Sequence, residues 1–342
     1  MKVLVLGGTG YVGSRLCNLL QGSGWATPVS ASSRHLAAAG VDGLRVDSRD
    51  AAALGRALRG VDAVVNCVAG DAASIAKGAQ VLAQAAIAAG CPRVVHLSSM
   101  SVYGAAEGRV DERAPLDPSL GWYARAKCEA ERHVTSFAAA GGAAVILRPG
   151  CVWGPGSQLW VGRIGRWLWA GRLGDLGIAG DGWSNGVHVD DVCSAIIASL
   201  RSCSTGDGVR TYNLAAPDSP RWNDYFVDLA LAIAATPVRR IASRQLRMDA
   251  WLAGPPLKVA QTLLARLGLF AAHAVPDPLP PGLLGLWERH LLLDASAATQ
   301  ALGMEWTPYA EALKQSAAWF VREQSRVATR APGVKRTNPH AG

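Results

Sequence analysis

Over the first 150 residues, short runs that are apolar at nearly every position alternate with longer stretches whose apolar residues recur at helical spacing. Lys2–Leu6, Pro28–Ala31, Leu44–Val46, Ala63–Cys67, Arg93–Leu97 and Ala144–Leu147 read as strands; Ser14–Leu20, Ala51–Leu58, Ile75–Ala89 and Tyr123–Ala138 read as helices. A strand apolar on both faces needs cover on both sides, as in a parallel sheet with helices above and below. Right-handed crossovers then make the predicted fold α/β, a doubly wound parallel sheet over residues 1–150. Beyond Pro149 the alternation loosens into Gly-rich loops, short helices and Trp-rich stretches. The expectation there is a smaller, mostly helical C-terminal lobe over 151–321, with the chain returning to the first domain around 185–215. Pro276–Gly282 (P-D-P-L-P-P-G) reads as a rigid connector, and no internal repeat is evident.

Half of the 342 residues are hydrophobic and 18% are charged, a composition that builds a core and excludes wholesale disorder. A formal charge of +8 invites a nucleic-acid partner, but its placement argues against one. From Arg322 onward five basic residues (Arg322, Arg326, Arg330, Lys335, Arg336) face one acid, Glu323, so half of the excess lies in 322–342. That segment carries Pro332, Gly333, Pro339 and Gly342 without apolar periodicity and reads as a disordered basic tail. The remaining surplus helps to attract an anionic ligand. Seven cysteines (Cys17, Cys67, Cys91, Cys128, Cys151, Cys193, Cys203) are far apart, odd in number and without a C-x-x-C pair, and no secretory leader precedes them. Reduced thiols and a cytoplasmic location follow. No apolar stretch reaches the roughly 18 residues of a membrane span, and the histidines lack metal-ligand spacing.

The first strand runs into Gly7-Gly8-Thr9-Gly10-Tyr11-Val12-Gly13, which is G-x-G-x-x-G from Gly8 or G-x-x-G-x-x-G from Gly7. Between a strand and a helix, such glycines allow a tight turn and close approach to a pyrophosphate, while the helix N-terminus offers N–H groups and a positive dipole end. This is the signature of a Rossmann-type dinucleotide site, with Gly7, Thr9, Gly10, Tyr11, Val12 and Gly13 as its cradle. Folds of this type that prefer NAD usually end the second strand in an acid that binds the ribose 2′-hydroxyl. Here that position reads Ser32-Ser33-Arg34, two hydroxyls and a guanidinium suited to a 2′-phosphate. NADP(H) is therefore favoured, with NAD(H) as the alternative in which Arg34 only stacks on adenine. Asp47, after the third strand, either accepts from the adenine amino group or caps the helix that follows.

Tyr123 and Lys127 form Y-x-x-x-K on one face of a helix, and the strand at Arg93–Leu97 ends in Ser98-Ser99-Met100-Ser101-Val102-Tyr103-Gly104. A free tyrosine titrates near pH ~10; a neighbouring ammonium stabilises its phenolate and makes it a usable acid/base. Ser99 would hold the same substrate oxygen, and no metal is called for.

On these motifs, together with Arg148–Pro155 (R-P-G-C-V-W-G-P), His188–Val192 (H-V-D-D-V) and Tyr212–Ala215 (Y-N-L-A), the chain resembles extended short-chain dehydrogenases/reductases of the NAD-dependent epimerase/dehydratase and 3β-hydroxysteroid dehydrogenase-like group. The resemblance covers residues 1 to about 215 and, more loosely, to about 320. It implies Ser99, Tyr123 and Lys127 as the catalytic set, Lys127 also on the nicotinamide ribose, Val68 and Ala69 on the cofactor, and Pro149 and Val152 near the nicotinamide. Sugar-nucleotide members usually carry Asn where this chain has Cys151, and Arg where it reads Trp183-Ser184-Asn185-Gly186. The segment between Ala69 and Ile75 is also shorter than the family's usual cover, leaving the nicotinamide mouth open or closed from the other lobe.

Five tryptophans (Trp153, Trp160, Trp167, Trp169, Trp183) fall within 31 residues, either as a stripe buried in the second lobe or as the lining of an apolar pocket. Arg148, Arg163, Arg166 and Arg172 keep an anionic substrate open. The leading expectation is an NAD(P)(H)-dependent ketone reductase or secondary-alcohol dehydrogenase acting on a small hydrophobic metabolite. The alternatives are a nucleotide-sugar 4-epimerase or dehydratase with tightly bound NAD, and a non-catalytic dinucleotide-binding regulator. The partners expected are the small-molecule substrate and, at most, a second copy of the chain as a homodimer.

Overall fold

In each central strand successive side chains leave on opposite faces, so an apolar run buries two sets of residues at once. In the computed structural model, which describes residues 1–34, 40–202, 208–266 and 276–330, this is what the N-terminal runs do. The elements begin β1 (Lys2–Leu6), α1 (Tyr11–Gly22), β2 (Thr27–Ser32), β3 (Asp42–Arg45), α2 (Ala51–Ala57), β4 (Ala63–Asn66), α3 (Ala72–Ala89) and β5 (Arg93–Leu97). They continue with β6 (Gly108–Val110), α4 (Trp122–Ala139), β7 (Ala143–Pro149), β8 (Cys151–Trp153), α5 (Arg163–Trp169), β9 (Gly186–His188), α6 (Val189–Ser202) and β10 (Val209–Leu214). Seven of these strands form one sheet in the order β10-β7-β5-β4-β1-β2-β3, and every pairing in it is parallel. Val3, Val5, Val95 and Val145 pack with Leu16 and Leu20 of α1 and Val192 and Ile196 of α6. Leu4, Leu6, Val64, Val94 and Ile146 pack on the other face with Leu54, Val81, Leu82, Val134 and Phe137 of α2, α3 and α4. The doubly wound α/β fold is thus the observed one. The order reverses between β1 and β4, which opens a crevice at their carboxyl ends.

The chain divides into two compact units. The first comprises Met1–Val152, Ser184–Ser219 and His290–Tyr309. Its last segment adds β11 (Leu291–Leu293), parallel to β6, and α11 (Ser296–Leu302), whose Ala298 joins the core. Asn185 anchors this return: its amide donates to the Leu291 carbonyl at 2.8 Å and its carbonyl accepts from the Leu293 N–H at 2.8 Å.

The second unit comprises Trp153–Trp183, Pro220–Arg289 and the chain from Ala310. It holds α5, α7 (Trp222–Ala232), α8 (Ser243–Met248), α9 (Gly254–Arg266), α10 (Gly282–Trp287) and most of α12 (Tyr309–Arg330). Its core is aromatic: Trp222, Phe226 and Trp287 are fully buried, with Phe226 and Trp287 ring centres 5.2 Å apart and Trp167 and Trp287 6.4 Å apart. Arg172 pairs with both Asp249 oxygens at 2.9 and 2.5 Å, and Arg166 pairs with Asp277 at 2.5 Å. The Asp277 carbonyl also accepts from Trp167 Nε1 and Arg172 Nη1, so the Pro276–Gly282 connector is tied down through its second residue.

Several elements differ in extent from the sequence expectation. Helix α1 starts at Tyr11, because the backbone turns helical directly after Gly10; α3 starts at Ala72, because the Asp71 carboxylate accepts from the Ser74 N–H at 2.8 Å. The edge strand β3 runs Asp42–Arg45 and is exposed, so its register follows β2 rather than a hydrophobic run. Ahead of α5 the Gly162 N–H reaches back to the Ser157 carbonyl in a wide turn. Helix α12 continues to Arg330, so residues 322–330 of the expected tail are helical; Cys203 and residues 331–342 lie outside the described residues.

Candidate active site

The glycine turn is built for contact with backbone, not for flexibility. Gly7 has φ +75°, and a Cβ on Gly13 would lie 2.3 Å from the Gly7 carbonyl oxygen, inside any permissible contact. No side chain caps the N-terminus of α1, so its first turn presents backbone N–H groups and the positive dipole end to the crevice. Above it opens a cleft of about 820 Å³. Its wall brings together Gly7, Thr9, Gly10, Tyr11, Val12, Gly13, Ser32, Ser33, Arg34, Asp47, Val68 and Ala69. A cleft of that volume, floored by a glycine turn and helix N-terminus, fits a dinucleotide.

At the end formed by β2, Thr9 Oγ1 donates to Ser32 Oγ at 2.9 Å, which fixes that hydroxyl. Asp47 does not cap the helix that follows, although it stands in the cleft wall. Its oxygens accept from the Arg49 backbone N–H and guanidinium at 2.8–3.1 Å, and Asp50 instead caps α2, accepting from Ala53 N–H at 2.9 Å. The Arg49 guanidinium holds the Asp47 carboxyl below its usual range. Arg49, Ser48 and Asp71 also line the cleft, and sequence reasoning passed over them. Among these Arg49 was findable, as the first cation after the third strand.

At the other end the wall reaches Cys67 and Leu97. Lys127 is buried and donates from Nζ to the Leu97 carbonyl at 2.8 Å, with the Tyr123 ring centre 5.9 Å from the same nitrogen. Ser99 Oγ accepts from the Ser101 N–H at 3.2 Å and lies near enough to the Tyr123 phenol to act on its ionisation. The three predicted residues therefore meet beside the cleft, held by the end of β5 and the first turns of α4. Burial raises the Tyr123 phenol, and the Ser99 hydroxyl pulls it back. Burial lowers the Lys127 ammonium to about 8, while Cys67 and Glu131 oppose the drop. Pro149 and Val152 are not in the cleft wall: Pro149 ends β7 opposite Leu214, and Val152 packs on the core.

A buried polar network backs this corner. Glu131, one helical turn beyond Lys127, receives Arg148 at 3.0 and 2.7 Å on its two oxygens and Ser98 Oγ at 2.5 Å. Arg148 also donates to the Tyr103 hydroxyl at 2.9 Å and the Glu112 carbonyl at 3.1 Å. The Tyr103 hydroxyl donates to Asn213 at 2.6 Å. Arg148, Arg166 and Arg172 are thus committed to internal partners, and Arg163 lies over the Trp167 ring at 5.8 Å. Trp153 and Trp167 are core, Trp160 is half-buried, and Trp169 is partly exposed. The H-V-D-D stretch is also structural: Asp190 takes Arg15 of α1 at 2.6 and 2.9 Å, and Asp191 takes the Thr307 N–H and hydroxyl. Cys151 is buried, its thiol pushed up by burial alone. Among the described residues no cluster of His, Cys, Asp and Glu could hold a metal, and no helix is long and apolar enough to cross a membrane.

Comparison with known proteins follows this division. A 2-alkyl-3-oxoalkanoate reductase of Stenotrophomonas maltophilia is 34% identical over 214 residues, 58% of this chain and 64% of that protein. A 3-diazoavenalumate denitrifying reductase of a Streptomyces species is 33% identical over 195 residues, 54% of this chain and 61% of that protein. The chain thus spans less than two thirds of the length of either relative. The dTDP-glucose 4,6-dehydratase DesIV of Streptomyces venezuelae, solved with NAD bound, superposes with a TM-score of 0.70 at 23% identity, covering 95% of this chain and 98% of that one; at that identity the likeness is one of fold. The sequence pattern of the NAD-dependent epimerase/dehydratase enzymes matches residues 3–215, well over half of the 342, and to that family the chain belongs.

Proposed function

We propose that the protein is a reductase or dehydrogenase that interconverts a ketone and a secondary alcohol on a hydrophobic metabolite, using NADP(H) in preference to NAD(H). The observation that carries the reading is the meeting of Ser99, Tyr123 and Lys127 beside the Leu97 end of the dinucleotide-sized cleft. When bound, the nicotinamide supplies or accepts the hydride at the substrate carbon. The chain's own part is to place and move one proton. In reduction the Tyr123 hydroxyl donates its proton to the substrate oxygen, and Ser99 Oγ hydrogen-bonds that same oxygen. The Lys127 ammonium, anchored by the Leu97 carbonyl, then stabilises the phenolate that remains.

The preference for NADP(H) rests on the β2 end of the cleft, where Ser32, Ser33 and Arg34 line the wall. Asp47, the acid of the cleft wall that follows β3, pairs with Arg49 at 2.8 Å. A 2′-phosphate would meet hydroxyls and guanidinium groups there rather than an unpaired acid. Gly7, Thr9, Gly10, Tyr11, Val12 and Gly13 would hold the pyrophosphate, and Val68 and Ala69 the nicotinamide half. Pro149 and Val152 would approach the ring only from outside the wall described above.

For the substrate, two observations favour an apolar ketone over a sugar nucleotide. Cys151 is buried where an amide would contact a sugar ligand, and Asn185 spends its side chain on β11. The two relatives named above are called reductases. The test is to titrate NADPH and NADH, then follow cofactor oxidation across ketones, 3-oxoalkanoates, steroids and sugar nucleotides. NADPH oxidation with an apolar ketone supports the reading. Co-purifying NAD with turnover of a UDP- or dTDP-sugar would replace it with epimerase or dehydratase chemistry. Unchanged turnover in Tyr123→Phe would remove the tyrosine mechanism.

A further inference from the structure

Between Ser243 and Arg266 the second unit carries α8, a wide helical turn at Asp249–Ala253 and α9 in continuous succession. At about 1.5 Å per residue this is a rod of roughly 36 Å. Its inward side is unremarkable: Leu246, Ala250 and Gly254 are buried. Its outward side is not. Met248, Trp251, Leu252, Val259 and Leu263 are 57–69% exposed. At about 100° per residue they fall within an arc of about 120°, opposite the buried residues. Ordinary surface helices put polar residues there, and a row of large exposed apolar side chains marks a contact surface.

The charges on the same rod narrow the partner. Among its described side chains the exposed charged ones are Arg244, Arg247 and Lys258, and none of them pairs with a carboxylate among the described residues. The single acid in the segment, Asp249, is turned onto Arg172 at 2.5 Å. The outer surface therefore combines apolar bulk, a tryptophan and cations, with no exposed acid. Two copies pairing through this face would bring like charges together. A nucleic acid would use the cations and leave the apolar row in water. An anionic bilayer surface uses both: the apolar row enters the boundary between headgroups and acyl chains, and the cations meet lipid phosphates.

We propose that Ser243–Arg266 is a docking face by which this protein lies on an anionic lipid bilayer without crossing it. The proposal does not depend on the reaction proposed above, and its readout is binding rather than turnover.

The experiment is flotation of the full chain with phosphatidylcholine vesicles prepared with and without phosphatidylglycerol. The wild-type protein should float with the anionic vesicles and much less with the neutral ones. Trp251→Glu with Leu252→Glu should weaken partitioning more than about tenfold. Arg244→Glu and Lys258→Glu should each weaken it at least about fivefold, and added salt should do the same. Met248→Glu with Val259→Glu gives a second apolar variant should the first lose its near-ultraviolet circular dichroism. Absence of flotation with anionic vesicles overturns the proposal, as does flotation that the glutamate variants leave unchanged. A wild-type dimer that fails to float, and that Trp251→Glu with Leu252→Glu turns into monomer, would assign the face to self-association and overturn it equally.

Discussion

Glu131→Gln isolates the contribution of the buried network behind Tyr123 and Lys127. The Glu131 and Arg148 side chains are 4% and 6% exposed, and their two contacts measure 3.0 and 2.7 Å. Removing one partner of a buried, doubly bonded pair strands the other charge, which costs about 3–5 kcal/mol. Glutamine keeps one acceptor for Arg148 or Ser98, so the lower figure, about 3 kcal/mol, is expected. Arg148→Met should cost as much or more, because it strands the carboxylate and also leaves the Tyr103 hydroxyl and Glu112 carbonyl without their donor. The pair replaced together, Glu131→Gln with Arg148→Met, removes both charges and should cost less than the sum by about 3 kcal/mol. Urea titrations of the four proteins, followed by far-ultraviolet circular dichroism, give the cycle. Additivity within about 0.5 kcal/mol would refute the reasoning, since it would mean that the two groups do not feel each other's charge. A kinetic corollary separates structure from positioning. Glu131 helps to keep Lys127 protonated, so in Glu131→Gln the alkaline limb of kcat should move to lower pH.

Other outcomes follow from the same corner and from the cleft. Tyr123→Phe should lower kcat by about 10²–10⁴ with little change in KM, because the ring still packs while the proton is lost; steady-state kinetics decide it. Activity should fall as pH rises through about 8, where the buried Lys127 ammonium deprotonates, and a profile flat to pH ~10 would separate Lys127 from the chemistry. Arg34→Ala should raise KM for NADPH by about tenfold or more while leaving NADH nearly unchanged, the value of a charge-assisted contact of about 1.5–3 kcal/mol. Equal effects on both cofactors would mean that Arg34 stacks on adenine. Gly13→Ala should abolish dinucleotide binding, measured by protein-to-cofactor energy transfer, since its Cβ would meet the Gly7 carbonyl at 2.3 Å.

The sheet and the cleft were legible because each follows from a local rule. A run such as Val3-Leu4-Val5-Leu6 divides its side chains between two helical layers whatever the rest of the chain does, and Gly13 cannot be another residue so close to Gly7. Tyr123 and Lys127 share a face by helix geometry alone. What escaped depends on partners far away in sequence. Nothing near Asp191 announces Thr307, and nothing near Asn185 announces Leu291 and Leu293. The return of His290–Tyr309 to the first unit was invisible for the same reason. In the tail, a helix of which Phe320 is fully buried continues to Arg330, although residues 322–330 lack apolar periodicity of their own.

The arginines show most clearly where sequence reading stops. Arg148, Arg166 and Arg172 lie close to one another in sequence and invite an anionic substrate, yet each has an acid of its own: Glu131, Asp277 and Asp249. A guanidinium already held by a carboxylate must break that pairing before it can grip a ligand, at a cost similar to what the new contact would return. Arg34 and Arg49 differ in kind, because both stand in the cleft wall, and Arg49 is held by an acid that is itself exposed to the cleft. The cationic side chains of the cleft wall therefore stand at its β2 end, apart from the backbone N–H groups of the glycine turn. On the function proposed above, charge would serve the cofactor there and apolar contact would select the substrate.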